Sequence, residues 1–406
     1  MTILHSQSKN GPNNRLQRMA GGLAVAALLV SAHPVFAGVP TQLGSEATMD
    51  LLDTPTILDA PPSDAKRVYV LDAGAFHMTS TIYTIDGNTS KLLGMTDAGK
   101  LPHVMLGDNG KFMAVASTMY SRVARGTRDD YIEIIDTTTH MPIADIDIPE
   151  GRFLTGVMER LATLSTDEKH LLFQQFAPSP AVGLVDLEQE KFVEMMPVPD
   201  CYHLFPVADQ KFFMHCRDGS MLKVSYDSNG KTTQENTKVF HGENDYLFNN
   251  PTYSTRTGRL VWPSTAGKIF QANLSASGAE FLKPFDAFTE AEKAEKWAPG
   301  GWQPVAYHSD RNEIYLLADQ RAKWTHKLPS RFVFVFDAKT GEKLRRIELG
   351  HEIDAIGVSQ DAEPYLFAAS KETQTLYSFD ALSGKELGQV DELGRAPGLI
   401  IIPDEK

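Results

Sequence analysis

A strand-turn-strand unit recurs along the whole chain, and it leaves few architectures open. Its clearest copy is residues 331–349, RFVFVFDAKTGEKLRRIEL. Residues 332–336 form a β-branched and aromatic run of strand length. Asp337, Ala338, Lys339, Thr340 and Gly341 then supply turn chemistry. The aspartate accepts from backbone two residues on, and glycine takes a positive φ without a Cβ clash. Residues 344–347 continue as a second strand, so the segment reads as a hairpin. Further copies occupy 82–86, 131–136, 182–186, 222–227, 268–273 and 376–380, making seven. Their turn residues fall 41 to 64 residues apart. A period of about 50 residues holding several strands marks a β-propeller rather than a sandwich.

A second register supports this. Ahead of most hairpins stands a strand that ends in a short polar turn, as in 103–110, 161–169, 203–211, 251–258, 305–312 and 356–363. Asp108, Asp167, Asp209, Asp310 and Asp361 share the turn position, with Arg256 the exception. An apolar strand follows each turn, so each repeat holds four strands. The first hairpin lacks a leading strand, whereas the chain ends on an unclaimed one, LIIIPD at 399–404. The sequence therefore predicts an all-β, seven-bladed propeller over 66–406. Its C-terminal strand completes the first blade, and this ring closure removes open sheet edges.

The N-terminus reads as an export signal rather than as fold. Lys9, Arg15 and Arg18 precede an apolar run at 21–31, and small residues lead to a cleavage point after Ala37. Residues 1–37 are assigned as a secretory signal peptide. The apolar run is too short to span a bilayer, and no later stretch approaches that length. Residues 38–65 are polar, with Pro55, Pro61 and Pro62, and read as an extended arm. The formal charge is −13, and losing a cationic signal makes the mature chain more acidic still. That balance argues against nucleic acid and anionic membrane as partners. The two cysteines, Cys201 and Cys216, read as a disulfide in an exported chain. Closing so short a loop contributes roughly 3 kcal/mol. A metal site with His203 and His215 is the rival reading. Strand alternation opposes it, because His215 and Cys216 are adjacent and face opposite ways.

Catalytic motifs are missing from the sequence. There is no nucleophile elbow, no phosphate-binding glycine loop, no dinucleotide fingerprint and no haem attachment motif. His351-Glu352 opens like a zinc-protease helix, but the second histidine is absent and the context is a strand. We assign no catalytic residue and no metal to this chain. Arg122, Arg125 and Arg128 form a basic cluster between the second and third strands of one blade. It serves either as a partner contact, holding carboxylates bidentately, or as an internal ion network with Asp129 and Asp130, the reading the sequence favours. Residues 286–297 are the one helical segment, with a Thr289/Glu292 capping box. Trp297 and Trp302 either contact a partner or cap a blade. A scaffold or subunit fits better than a stand-alone enzyme. A free-standing binding propeller and a hydrolase with a metal in its channel remain as other classes.

Several idiosyncratic strings resemble the methylamine dehydrogenase heavy chain family, part of the quinoprotein amine dehydrogenase large subunits. They are the Cys201-Tyr202-His203 and 212–219 segments, Ser121-Arg122 through Arg128, 259–263, 299–303, 351–354 and 359–361. They run in order through the whole predicted ring. The resemblance implies a seven-bladed heavy chain in a periplasmic assembly of two heavy and two light chains. It implies that tryptophan tryptophylquinone sits on the light chain and that this chain binds no cofactor. The implied reaction takes a primary amine to aldehyde and ammonia and passes electrons to amicyanin. Phe76, in Asp72-Ala73-Gly74-Ala75-Phe76, matches a family phenylalanine at the substrate channel. The nearest alternative is the heavy subunit of an aromatic-amine dehydrogenase, with a wider channel and an azurin acceptor.

Overall fold

A computed structural model describes residues 58–74 and 79–404. Within them lie seven antiparallel sheets in ring order, each of four principal strands. Blade 2 is typical, running from His103–Gly107 innermost through Phe112–Arg122 and Arg125–Asp136 to Pro142–Asp147 outermost. The seven innermost strands are Pro397–Ile401, His103–Gly107, Ala162–Leu164, Cys201–Ala208, Thr252–Tyr253, Val305–His308 and Ala355–Val358.

The ring closes as the sequence predicts. Pro397–Ile401 pairs antiparallel with Arg67–Asp72, placing Tyr69 opposite Ile401 and Leu71 opposite Leu399. The first blade thus joins both ends of the propeller, and Arg67–Asp72, paired on both sides, keeps no open edge.

Burial follows strand position. Arg67–Asp72, a second strand, is buried at every residue, whereas Pro142–Asp147, an outermost strand, is exposed along most of its length. Blades pack face to face, so middle strands bury both faces and read as continuous apolar runs. One hydrophobic cluster fills each of the seven gaps between neighbouring blades. The cluster that seals the ring sets Val68, Val70 and Tyr83 of blade 1 against Phe367, Ala369 and Leu376 of blade 7.

The turn chemistry is as read. The Asp337 carboxylate accepts from Lys339 N at 2.9 Å and Thr340 N at 2.7 Å, and Gly341 takes φ +73°. Asp380 repeats this with Leu382 N, Ser383 N and Gly384 at φ +75°. At the equivalent turn after Asp136 the positive φ falls on His140, so the carboxylate rather than glycine is the constant feature.

Two expectations need correction. The helix spans only Glu290–Ala294, although its Thr289/Glu292 capping box is present. Phe285–Asp286 and Trp297–Pro299 instead add short strands to the fifth and sixth blades, because Trp297 is buried against Phe332 and Phe334. Nor is the arginine cluster a loop. The ladder runs through it, pairing Tyr120 with Arg128 and Arg122 with Arg125, so only Val123 and Ala124 turn. Among the described residues, no helix is long and apolar enough to cross a membrane. The proposed signal and residues 38–57 of the arm lie outside the described residues; 58–65 form neither helix nor strand.

Candidate functional site

Strands alternate in direction within each blade. Every connection from a second to a third strand therefore leaves the ring on one face, together with every crossing from an outermost strand to the next blade. That face carries the arginine hairpin, the loop holding Phe76, the Cys216 end of the disulfide and residues 321–329. The aspartate turns occupy the opposite face.

The hairpin made by Phe112–Arg122 and Arg125–Asp136 carries its arginines on the part exposed from 121 to 129. The cluster divides in two. Arg128 turns inward and pairs with Asp130 at 2.6 Å. Arg122 and Arg125 stay exposed and have no ion-pair partner among the described residues. The internal network expected of the cluster thus involves one arginine, with Asp130 and not Asp129. It continues to Arg152, which is fully buried. Arg152 donates to Lys100 O at 2.7 Å, Leu101 O at 2.9 Å and Ser117 O at 3.1 Å. Burial brings its pKa down to about 9, partly offset by Asp130.

Phe76 lies outside the described residues. The ends of its loop are fixed: Asp72 accepts from Gly74 N at 2.8 Å and from Arg395 N and Ala396 N at 2.9 Å each. Ser80 N donates to Gly99 O at 2.6 Å. Asp72, the residue where the strand Arg67–Asp72 ends, is thereby tied to the start of the closing strand.

Cys201 and Cys216 are directly cross-strand and joined as a disulfide. Beside it the histidines depart from simple alternation. A bulge between Tyr202 and Phe205 puts His203 at φ +60°, and its ring meets Trp262, as does that of His215. His203 Nε2 donates to Asn249 O at 2.8 Å. With His241 Nδ1 donating to Gly242 O at 2.9 Å, the 2.7 Å contact between His215 Nε2 and His241 Nε2 makes His215 the donor. Burial lowers the pKa of His203 to about 4. Burial and the neighbouring imidazoles lower that of His215 to about 3. Among the described residues, no group of three or more His, Cys, Asp or Glu is placed to hold a metal ion.

Trp302 ties loops together across the channel on the same face. Its indole donates to Val157 O at 2.9 Å, and its carbonyl accepts from Asn250 Nδ2 at 2.9 Å. Asn250 Oδ1 in turn accepts from Glu159 N at 3.1 Å. Below it the channel opens into a cavity of about 400 Å³, bordered by Glu159, Arg160, Thr163, Arg256 and Asp404. Arg160 bridges to Tyr253 O at 2.7 Å, and burial pushes the Glu159 carboxyl up. The sequence marks neither Arg152 nor the Trp302 tie as a bridge, since each is one residue reaching partners far along the chain.

The profile of the methylamine dehydrogenase heavy chain family matches residues 64–404. The heavy chain of methylamine dehydrogenase from Methylophilus methylotrophus is 66% identical, over 95% of this chain and 96% of that one. Those of Methylobacillus flagellatus and Methylorubrum extorquens are 61% and 49% identical, over 95% of this chain and 98% and 95% of theirs. Among solved structures, a functionally unknown protein from Desulfotomaculum acetoxidans superposes with a TM-score of 0.57 at 14% identity, covering 83% of this chain and 98% of that one. A putative 6-phosphogluconolactonase from Bacteroides uniformis gives 0.57 at 12% identity, covering 83% and 99%. Identity that low speaks for the fold alone. The chain belongs to the methylamine dehydrogenase heavy chain family.

Proposed function

We propose that this chain is the heavy, non-cofactor subunit of a periplasmic methylamine dehydrogenase. The observation that carries the reading is identity along 95% of the chain with proteins named as that heavy chain. The reaction converts methylamine and water to formaldehyde and ammonia, releasing two electrons and two protons; amicyanin takes the electrons.

A tryptophan-derived quinone does not fit this chain. Among the described residues, no two of the tryptophan rings are in contact. Trp262 and Trp302 each commit their indole N–H to a backbone carbonyl, Phe248 O and Val157 O. On this reading the partner light chain carries the tryptophan tryptophylquinone, in an assembly of two heavy and two light chains. The work left to this chain is to position that partner and narrow the path to it. Phe76 supplies a ring at the substrate channel, and Arg122 and Arg125 present guanidinium forks to carboxylates of the partner. Residues 1–37 direct export and are then removed.

The test is purification from the native periplasm under gentle conditions. A co-purifying small chain whose visible absorbance bleaches with methylamine supports the reading. A colourless single chain, folded and inert to amines, would overturn it. Bleaching by aromatic amines and not by methylamine would replace it with the aromatic-amine enzyme.

A further inference from the structure

Residues 321–329 connect the second and third strands of the sixth blade, Glu313–Gln320 and Ser330–Asp337, on the face described above. Three apolar side chains stand out into solvent there: Trp324 is 61% exposed, Leu328 58% and Tyr246, from the crossing between the fourth and fifth blades, 56%. Tyr246 and Trp324 meet edge to face at 5.4 Å.

The loop is built to hold this display. The Arg321 guanidinium donates to Thr325 O at 2.8 Å, Leu328 O at 3.2 Å and Pro329 O at 3.1 Å. His326 O accepts from Gly301 N at 2.9 Å, pinning the loop beside Trp302. Trp324 itself sits at φ +69°, in the left-handed region that disfavours a bulky residue. A strained backbone under an exposed tryptophan gains nothing for the fold and points to an external role.

Charge indicates what kind of surface it meets. In a chain of formal charge −13, residues 321–331 contain two arginines and two lysines and no carboxylate. Arg321 is spent on the loop and Arg331 on Asp319. Lys323 and Lys327 stay exposed without an ion-pair partner among the described residues. Lys323 Nζ lies 5.1 Å from the Trp324 ring, and Lys327 Nζ lies 5.8 Å from that of Trp302.

We propose that Trp324, with Tyr246 and Leu328 around it and Lys323 and Lys327 at its rim, anchors the cofactor-bearing light chain. This rests on the heavy-subunit reading. The light chain would offer an apolar patch edged by carboxylates. Rigid aromatic anchors of this kind dominate binding energy because their ordering cost is already met. The loop shares its face with the Phe76 loop and with the exposed Arg122 and Arg125, so one partner over the channel can be gripped from opposite sides of the ring.

The test compares tagged wild-type and Trp324→Asn holoenzyme, each produced with the light chain in the same cells, by sedimentation over a dilution series. Asparagine tolerates the left-handed backbone, so the isolated heavy chain keeps or raises its melting temperature. The expected result is subunit dissociation at a concentration at least ~30-fold higher than for wild type. The Lys323→Glu/Lys327→Glu double variant is expected to associate more slowly and to lose most of its salt dependence. Dissociation unchanged in both variants overturns the proposal. So does intact assembly with slowed electron transfer to amicyanin, or with loss only of heavy-chain self-association. Wild-type heavy chain that recovers no light chain defeats the heavy-subunit reading itself.

Discussion

The side-chain amide of Gln303 holds the backbone of Ile400 from both sides. Its Nε2 donates to Ile400 O at 2.9 Å, and its Oε1 accepts from Ile400 N at 2.8 Å. Ile400 lies in the closing strand, so one side chain from the sixth blade acts there as a peptide of a neighbouring strand. The Gln303 backbone meanwhile accepts from Ile356 N at 3.0 Å on blade 7. Gln303→Leu has a similar size but leaves a buried N–H and C=O unpaired. With about 1–3 kcal/mol for each orphaned group, a loss of roughly 3 kcal/mol is expected. Urea unfolding measures it. Hydrogen exchange should accelerate first at 397–401 and 67–72, and protection lost uniformly would show that closure does not depend on this clamp.

Arg152 is the second long-range tie. It satisfies three carbonyls and faces Asp130, whose carboxylate also holds Arg128 at the base of the hairpin. Arg152→Met removes the donors of three buried carbonyls and leaves Arg128 as the one cation on Asp130, a change expected to cost about 3 kcal/mol. Calorimetry of the single variant and of Arg152→Met/Asp130→Asn gives the answer. The double variant should recover part of the loss, and equal losses in both would mean that the unsatisfied carbonyls, not the charge, dominate.

The contrast between these ties and the turns explains what the sequence discloses. The Asp337 and Asp380 turns are legible because a short-range rule, a carboxylate reaching backbone two and three residues on, repeats at a period. Closure is legible because the two chain ends lack complementary strands. Gln303 and Arg152 follow no local rule: their partners lie 97 and 35 to 52 residues away. The helix at 286–297 is overread because propensity favours it, while burial of Trp297 decides against it. The arginine cluster reads as a loop because its charges break the apolar pattern, although the ladder continues beneath them.

His203 and His215 make stability depend on pH. Their folded pKa values, about 4 and about 3, lie below the ordinary 6.5. The unfolded chain therefore binds protons first. Stability is whole above about pH 6.5 and is lost as pH falls, by about 1.4 kcal/mol per unit for each histidine. Glu133 and Glu159, whose carboxyls burial pushes up, act with the opposite sign and gain as pH falls. Subtraction isolates the histidines. His215→Gln keeps an N–H toward His241, and melting between pH 7 and 4.5 should show a shallower slope than wild type. A parallel pair of curves would place His215 outside the linkage.

Phe76 bears on substrate size. If its ring narrows the path to the quinone, Phe76→Ala lowers the KM of the holoenzyme for propylamine and benzylamine while leaving kcat for methylamine within about twofold. Steady-state rates across an alkylamine series check this. Unchanged specificity would count against a gating role for Phe76.

Arg122 and Arg125 stand on a hairpin whose fold does not need their charge, since neither pairs with a described carboxylate and both are exposed. Reversing them by Arg122→Glu/Arg125→Glu should leave the melting temperature of the isolated heavy chain within about 2 °C, because exposed charges contribute little. If the pair takes carboxylates of the light chain, association slows and its salt dependence flattens, as expected when steering charges are inverted. Arg128→Gln provides the counterexample. It breaks the internal pair with Asp130 and should lower stability with no direct effect on charge steering. Association kinetics at low and high salt, measured beside thermal melts, separate the roles. The outer two arginines should move kinetics alone and the inner one stability, and the reverse pattern would assign the cluster to the fold.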